Sequence, residues 1–154
     1  MRYAWVTKTP IGKLTLVQEN EALVQVHFGE VLQGEERQKT ALLAQAEQEL
    51  DEYFQGVRKS FTICLAPKGT PFQQKCWNAL CAIPYGQTRS YLEQAQAVGN
   101  PKACRAVGMA NHRNPLPIFI PCHRVVGKNG TLTGYAGGLD MKEMLLQLER
   151  TKSE

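Results

Sequence analysis

No stretch of the 154-residue sequence approaches the roughly 18 consecutive apolar residues that a membrane-spanning helix needs. The first residues, MRYAWVTKTP, lack the charged and apolar regions of a signal peptide. Both absences argue against a membrane role and predict a cytoplasmic protein. A disulfide framework is also missing, because the five cysteines (64, 76, 81, 104 and 122) are odd in number and evenly scattered. Cys76 and Cys81 lie five apart with no second pair and no nearby His, so no metal site is expected. Acidic residues are scarce in one region. Between 68 and 128 there is one acid, Glu93, against eight Lys or Arg. Residues 1–66 carry seven basic and nine acidic residues, whereas 67–154 carry eleven and five. One-sided positive charge over half a chain points to a polyanionic partner. The remaining composition, 43% hydrophobic and 21% charged, is that of a globular chain with a core, long enough for one ordinary domain or two small ones.

The first third reads as strands. Tyr3–Thr7, Lys13–Glu19 and Ala22–Phe28 alternate in polarity and are separated by the turn signals Pro10-Ile11-Gly12 and Asn20-Glu21. In the third strand His27 falls opposite Ala22, Val24, Val26 and Phe28, so it is expected at the surface. Thr40 caps a helix with Leu43, Ala46, Leu50, Tyr53 and Phe54 at helical spacing, and Phe61–Leu65 reads as a further strand. This acidic α/β domain, residues 1–66, holds no cluster of catalytic residue types, and a supporting role is expected of it.

Ala66-Pro67-Lys68-Gly69 reads as a linker into a second domain, 67–154. Thr70-Pro71-Phe72-Gln73 is a capping box opening a helix to about Ala82. Ser90-Tyr91-Leu92-Glu93 opens a short helix closed by Gly99, and Asn100-Pro101 starts another to about Asn111. Two short helices joined by Gly-Asn-Pro match a helix-turn-helix. The second of them is rich in Ala and Gly, which allow close approach, and carries Lys102, Arg105 and Arg113. These features favour a nucleic-acid groove as its target.

Residues 114–126, NPLPIFIPCHRVV, follow. Pro115, Pro117 and Pro121 predict a stiff extended strap pinned by Ile118, Phe119 and Ile120, with Cys122, His123 and Arg124 held just beyond it. Neighbouring positive charge is expected to lower the pKa of the Cys122 thiol. Cys122–Val126 reads as a strand, and Lys128-Asn129-Gly130 as a hairpin turn into Thr131–Thr133. Gly134-Tyr135-Ala136-Gly137-Gly138 is a loop whose amides are free to face a ligand. Asp140 and Glu143 open a last helix with an apolar stripe of Met141, Met144, Leu145 and Leu148. Glu149 lies about 40° past Leu145, at the edge of that stripe.

PCHRV at 121–125 resembles the active-site signature of the O6-alkylguanine-DNA alkyltransferases. GTPFQQKCW (69–77), IPYGQTRSY (83–91), GNPKACRAVG (99–108), NPLPIFIPCHRVV (114–126), GYAGG (134–138) and the helix ending in Glu149 extend that resemblance over residues 69–150. The N-terminal third agrees in character only. The resemblance implies a ribonuclease-H-like α/β domain followed by a mostly helical winged-helix domain that binds DNA through the minor groove. It implies Cys122 as alkyl acceptor, His123 linked to the thiol through a water, and Glu149 behind His123. Asn114 would brace the strap, and Arg105 would replace a flipped nucleotide, with Lys102 and Arg113 also on DNA. Tyr91 would crowd the phosphate and offer a hydroxyl to the extruded base. The carbonyls of Cys122 and Val125, with Tyr135, Ala136 and Pro117, would line the lesion pocket. The implied partner is double-stranded DNA carrying O6-alkylguanine, bound by a monomer without cofactor.

Many relatives have a hydroxyl residue where this chain has Ala136, so a side-chain contact is lost there while a backbone donor survives. The zinc ligands of some relatives have no counterparts here. Three other readings fit less. Alkyltransferase-like lesion sensors lack the acceptor cysteine. A winged-helix regulator has no need of Cys122, His123 and Glu149. A cysteine hydrolase leaves the DNA-binding features without a role.

Overall fold

The computed structural model describes residues 1–153, so Glu154, the end of the expected second domain, lies outside them. The chain forms two compact units that divide after Lys68.

In the first unit β1 (Arg2–Thr9), β2 (Gly12–Glu19) and β3 (Ala22–Phe28) form an antiparallel meander. A two-residue strand, β4 (Glu36–Arg37), adds to β1 in parallel, giving the order β3-β2-β1-β4. The sequence shows no signal for β4, which is too short for periodicity. The turn between β2 and β3 places Asn20 at φ 55°, a left-handed conformation that Asn tolerates. Helix α1 (Ala41–Phe54) starts where expected, with the Thr40 hydroxyl accepting from Leu43 N–H. It buries Leu43, Ala46, Leu50 and Tyr53.

Phe61–Leu65 does not form the expected strand. Only Leu65 bridges β3, at Leu23, because the Glu49 carboxylate takes the N–H groups of Thr62 and Ile63 that a strand ladder would use. His27 is half-buried rather than at the surface, and burial pushes its pKa down.

The second unit is helical. Helices α2 (Pro71–Cys81) and α3 (Tyr91–Ala97) both begin with complete capping boxes, Thr70 with Gln73 and Ser90 with Glu93. Helix α4 (Cys104–His112) starts three residues later than expected, since Asn100-Pro101 forms a turn in which the Asn100 side chain accepts from Lys102 N–H. The three helices enclose Cys76, Ala95, Ala103, Val107 and Ala110. Two buried polar connections fix their register. Trp77 Nε1 donates to the Ala110 carbonyl at 2.9 Å, and the Gln94 and Asn111 amides exchange hydrogen bonds of 2.8 and 2.7 Å. A buried amide pair satisfied on both sides favours one packing over its alternatives.

The strap is not extended. Pro117 bridges Ile120, Ile120 N–H donates to the Leu116 carbonyl, and Ile118 sits at φ 76°. A β-branched residue in that region is sterically costly, by about 1–3 kcal/mol. Burial of Ile118, Phe119 and Ile120 offsets the strain. The Asn114 amide closes the loop from inside, accepting from Leu116 N–H at 3.0 Å and donating to the Ile120 carbonyl at 2.8 Å. Proline rigidity correctly excludes a helix here, but side-chain bonding makes a compact loop.

Beyond it, Cys122–Arg124 form a 3-10 turn rather than a strand. Only β6 (Val125–Val126) is extended, pairing in parallel with β5 (Arg89–Ser90). Asn129 and Gly130 take the left-handed conformations their sequence favours. No hairpin results, because Thr131–Thr133 pair with no strand and only Thr131 returns to the Gly127 N–H. The final helix, α5 (Leu139–Lys152), begins at Gly138 without a side-chain cap, so the expected Asp140 and Glu143 box is not formed. No described helix is long and apolar enough to cross a membrane.

Candidate active site

The α5 face turned to the interior is Lys142, Leu145, Leu146 and Glu149, while Met144 is exposed. The expected stripe is therefore displaced, and Glu149 lies at the centre of the buried face rather than at its edge. Counting apolar residues misassigned the face because two of its four members are charged. Both charges are hydrogen-bonded, as burial of a charge demands.

Arg124 and His123 hold Glu149. Arg124 Nε and Nη2 approach its two oxygens at 2.8 and 3.1 Å, and His123 Nε2 lies 2.6 Å from Oε2. Arg124 also donates through Nη1 to the Ile83 carbonyl at 2.6 Å, and its guanidinium lies over the Tyr85 ring. Burial opposes the charge on Glu149, but the bonds and charges of His123 and Arg124 outweigh it and hold the carboxyl at about 2. An ionised carboxylate at Nε2 requires the proton there, which makes Nδ1 the basic nitrogen of a neutral imidazole. His123 has no exposed surface. Burial, the largest influence, lowers its pKa below the ordinary 6.5 although Glu149 pulls the other way. No protein group among the described residues bonds Nδ1.

Cys122 immediately precedes His123 in the 3-10 turn, and its N–H donates to the Ile120 carbonyl at 2.8 Å. The expected lowering of its thiol pKa is not found. Burial, the dominant influence, raises it, while Asn114 and the Lys142 charge act in the opposite direction. Arg124, the neighbour expected to supply the positive charge, is instead committed to Glu149. The cation that does act on the thiol is Lys142, which the sequence reading did not single out. Lys142 is 1% exposed, and its Nζ donates to the carbonyls of Val125 at 2.7 Å and Thr133 at 3.0 Å. A lysine amid an apolar-looking helix pattern is read as solvent-facing, and no local signal in the sequence says otherwise.

Cys122 opens on a cavity of about 440 Å³. Of the residues expected around it, Tyr91, Arg105, Asn114, Pro117, Tyr135 and Ala136 line it, as does Gly134 of the loop expected to face a ligand, together with Cys104, Gly108, Asn111 and His112, which the sequence does not single out. Val125 does not line it. That residue is buried and its carbonyl is taken by Lys142. Lys102 and Arg113 are exposed beyond the two ends of α4 and stay outside the cavity, whereas Arg105, on the first turn of α4, is exposed at its wall. Tyr91 is brought to the cavity by the β5–β6 pairing, which sets the start of α3 beside the segment that follows Cys122. Its hydroxyl lies 2.6 Å from Thr133 Oγ1. Among the described residues no group of three or more His, Cys, Asp or Glu is arranged to hold a metal ion.

Comparison with known proteins agrees with this geometry. Residues 1–67 match the family described as "6-O-methylguanine DNA methyltransferase, ribonuclease-like domain", and residues 71–151 match its "DNA binding domain". A Bacillus subtilis protein, the constitutive methylated-DNA–protein-cysteine methyltransferase, is 51% identical over 97% of this chain and 96% of its own length. The methylated-DNA–protein-cysteine methyltransferase of Methanosarcina acetivorans is 49% identical over 97% of this chain and 98% of its own. A crystal structure of Mycobacterium tuberculosis OGT in complex with DNA matches with a TM-score of 0.91 at 41% identity, covering 97% of this chain and 94% of that one. The chain thus belongs to the 6-O-methylguanine DNA methyltransferase family, with a ribonuclease-like N-terminal domain and a DNA-binding C-terminal domain.

Proposed function

We propose that this protein repairs alkylated DNA by direct reversal, moving an alkyl group from O6 of guanine, and also from O4 of thymine, onto Cys122. The observation that carries the reading is the Cys122 thiol opening on a base-sized cavity, next in the chain to a neutral imidazole that is hydrogen-bonded to an ionised carboxylate. The volume lies within the roughly 300–1,000 Å³ typical of small-ligand sites.

The chemistry follows from the groups present. Nδ1 of His123 takes the thiol proton through a bridging water, and Glu149 stabilises the imidazolium that results. Because burial raises the thiol pKa, the thiolate forms at the moment of reaction rather than standing charged beforehand. Its Sγ attacks the alkyl carbon in line. The S–C bond forms as the C–O6 bond breaks, and the electron pair passes to the purine, where a hydrogen bond from Tyr91 stabilises it. The thioether has no return path, so each molecule acts once.

A stacked base cannot reach this cavity, so the nucleotide must be rotated out at a cost of a few kcal/mol. Arg105, at the cavity wall on α4, fills the place it leaves, while Lys102 and Arg113 hold phosphates on either side. The N-terminal domain supports this assembly, and the protein acts as a monomer on the duplex. A duplex with an isotopically labelled methyl group on O6 of guanine tests the assignment. Wild-type protein should become labelled and Cys122→Ser should not. Equal labelling of Cys122→Ser would refute the role of Cys122.

A further inference from the structure

Thr133 has no part in the chemistry assigned above, yet it is held on three sides. Its carbonyl accepts from Lys142 Nζ at 3.0 Å. Its Cγ2 stands 3.3 Å from where a Cβ on Gly127 would lie, so the methyl is fitted against the glycine backbone. Its hydroxyl lies 2.6 Å from the Tyr91 hydroxyl. Lys142 already fixes the main chain at this point, because the same ammonium binds the Val125 carbonyl at 2.7 Å. The Thr133 hydroxyl is therefore not needed to hold the loop. What it holds is the phenol of Tyr91, whose ring lines the cavity. That ring lies against α4, where a Cβ on Gly108 would be at ordinary contact distance, 3.7 Å. Packing on one face limits where the ring sits, but the direction of the O–H is set by what the oxygen bonds.

We propose that Thr133 is a positioning residue for alkyl transfer, its hydroxyl donating to the Tyr91 oxygen and thereby turning the phenol proton towards the base in the cavity. The inference rests on the alkyl-transfer reading and adds to it what orients the group facing the leaving base. Tyr91 has one proton to donate. With Thr133 as donor that proton is free for the base. With the roles reversed it is spent on Thr133, and the electron-rich leaving base meets a lone pair. No proton crosses between the two hydroxyls in the transfer. The thiol proton goes to His123, and Tyr91 contributes a hydrogen bond that strengthens as charge grows on the purine.

Thr133→Val keeps the branched shape and the carbonyl that Lys142 binds, and removes only the hydroxyl. Thr133→Ser keeps the hydroxyl. Single-turnover transfer from an O6-methylguanine duplex is measured for both, with Tyr91 intact and in a Tyr91→Phe background. Thr133→Val should slow transfer by roughly three- to tenfold, the loss expected of one oriented hydrogen bond. Thr133→Ser should restore most of the rate, and Thr133→Val should cause no further loss beside Tyr91→Phe. A wild-type rate for Thr133→Val, a Thr133→Ser rate as low as that of Thr133→Val, or equal slowing in both backgrounds would overturn the proposal. The paired comparison holds even where Thr133→Val lowers stability, because both arms carry the same change. Failure of the wild-type protein to accept any methyl group is a separate result, and it would overturn the alkyl-transfer reading instead.

Discussion

Neutralising Glu149 would leave the Arg124 guanidinium buried with its counter-charge gone and deprive His123 of the group that fixes its tautomer. Breaking a buried pair from one side typically costs about 3–5 kcal/mol. Glu149→Gln should therefore lower unfolding free energy by that order, measured by urea denaturation, while also slowing transfer. The same triad sets the response to acid. His123 is held below 6.5 when folded, so the unfolded chain takes up a proton there that the folded protein refuses, and stability falls as pH drops below about 6.5. Glu149 is held at about 2 against an ordinary 4.5, so its contribution is complete above 4.5 and is lost as pH falls from there towards 2. Thermal melts across this range should show a decline beginning near neutrality, with the part below about 4.5 reduced in Glu149→Gln. A melting temperature flat down to pH 4.5 would contradict the neutral, buried state of His123.

Among the elements, α4 is the one we propose to enter DNA, and its Arg105 is the residue on which a test of flipping against simple pocket binding turns. Arg105→Ala should slow repair of O6-methylguanine in duplex DNA strongly and reaction with the free base little, since a free base needs no rotation. Equal loss on both substrates would place Arg105 in the pocket chemistry alone. The helices were legible in the sequence wherever a side chain bonds its own backbone nearby, as at Thr40, Thr70 and Ser90. They were less so where a distant partner decides. The α5 stripe differs from its apolar pattern because Lys142 is buried on carbonyls, and Glu149 on the Arg124 cation and the His123 imidazole, all supplied by the 122–133 segment. Asn129-Gly130 does adopt left-handed geometry, yet no hairpin follows, since Thr133 is drawn to Tyr91 and Lys142 instead of to a strand. Proline restricts φ locally and so predicts an extended strap, whereas the fold there depends on the Asn114 amide reaching six residues ahead. The Cys122-His123 pair is legible from adjacency in the sequence and Glu149 only through the family resemblance, whereas Thr133 is not, because a threonine in a turn carries no signal of what its hydroxyl meets.

For the molecule as a whole, the division of charge matches the division of labour. The first 66 residues are net acidic and the remainder net basic, which keeps the attraction for a polyanion on the domain that carries the thiol. Binding to undamaged duplex should weaken linearly in log affinity against log salt, with a slope of about −0.9 for each phosphate neutralised. Lys102→Ala should reduce that slope by about one contact and leave transfer to Cys122 from a free base unchanged. A slope unaffected by Lys102→Ala would remove that residue from the DNA face.

The central claim is that Cys122 accepts an alkyl group once and is spent. Exhaustive incubation with an excess of duplex carrying O6-methylguanine, followed by peptide mapping by mass spectrometry, tests it most directly. The account predicts one methyl group per protein molecule, located on Cys122, with no further lesion repaired once that site is filled. Continued repair by a substoichiometric amount of protein, or methyl groups on Cys64, Cys76, Cys81 or Cys104 in place of Cys122, would contradict it.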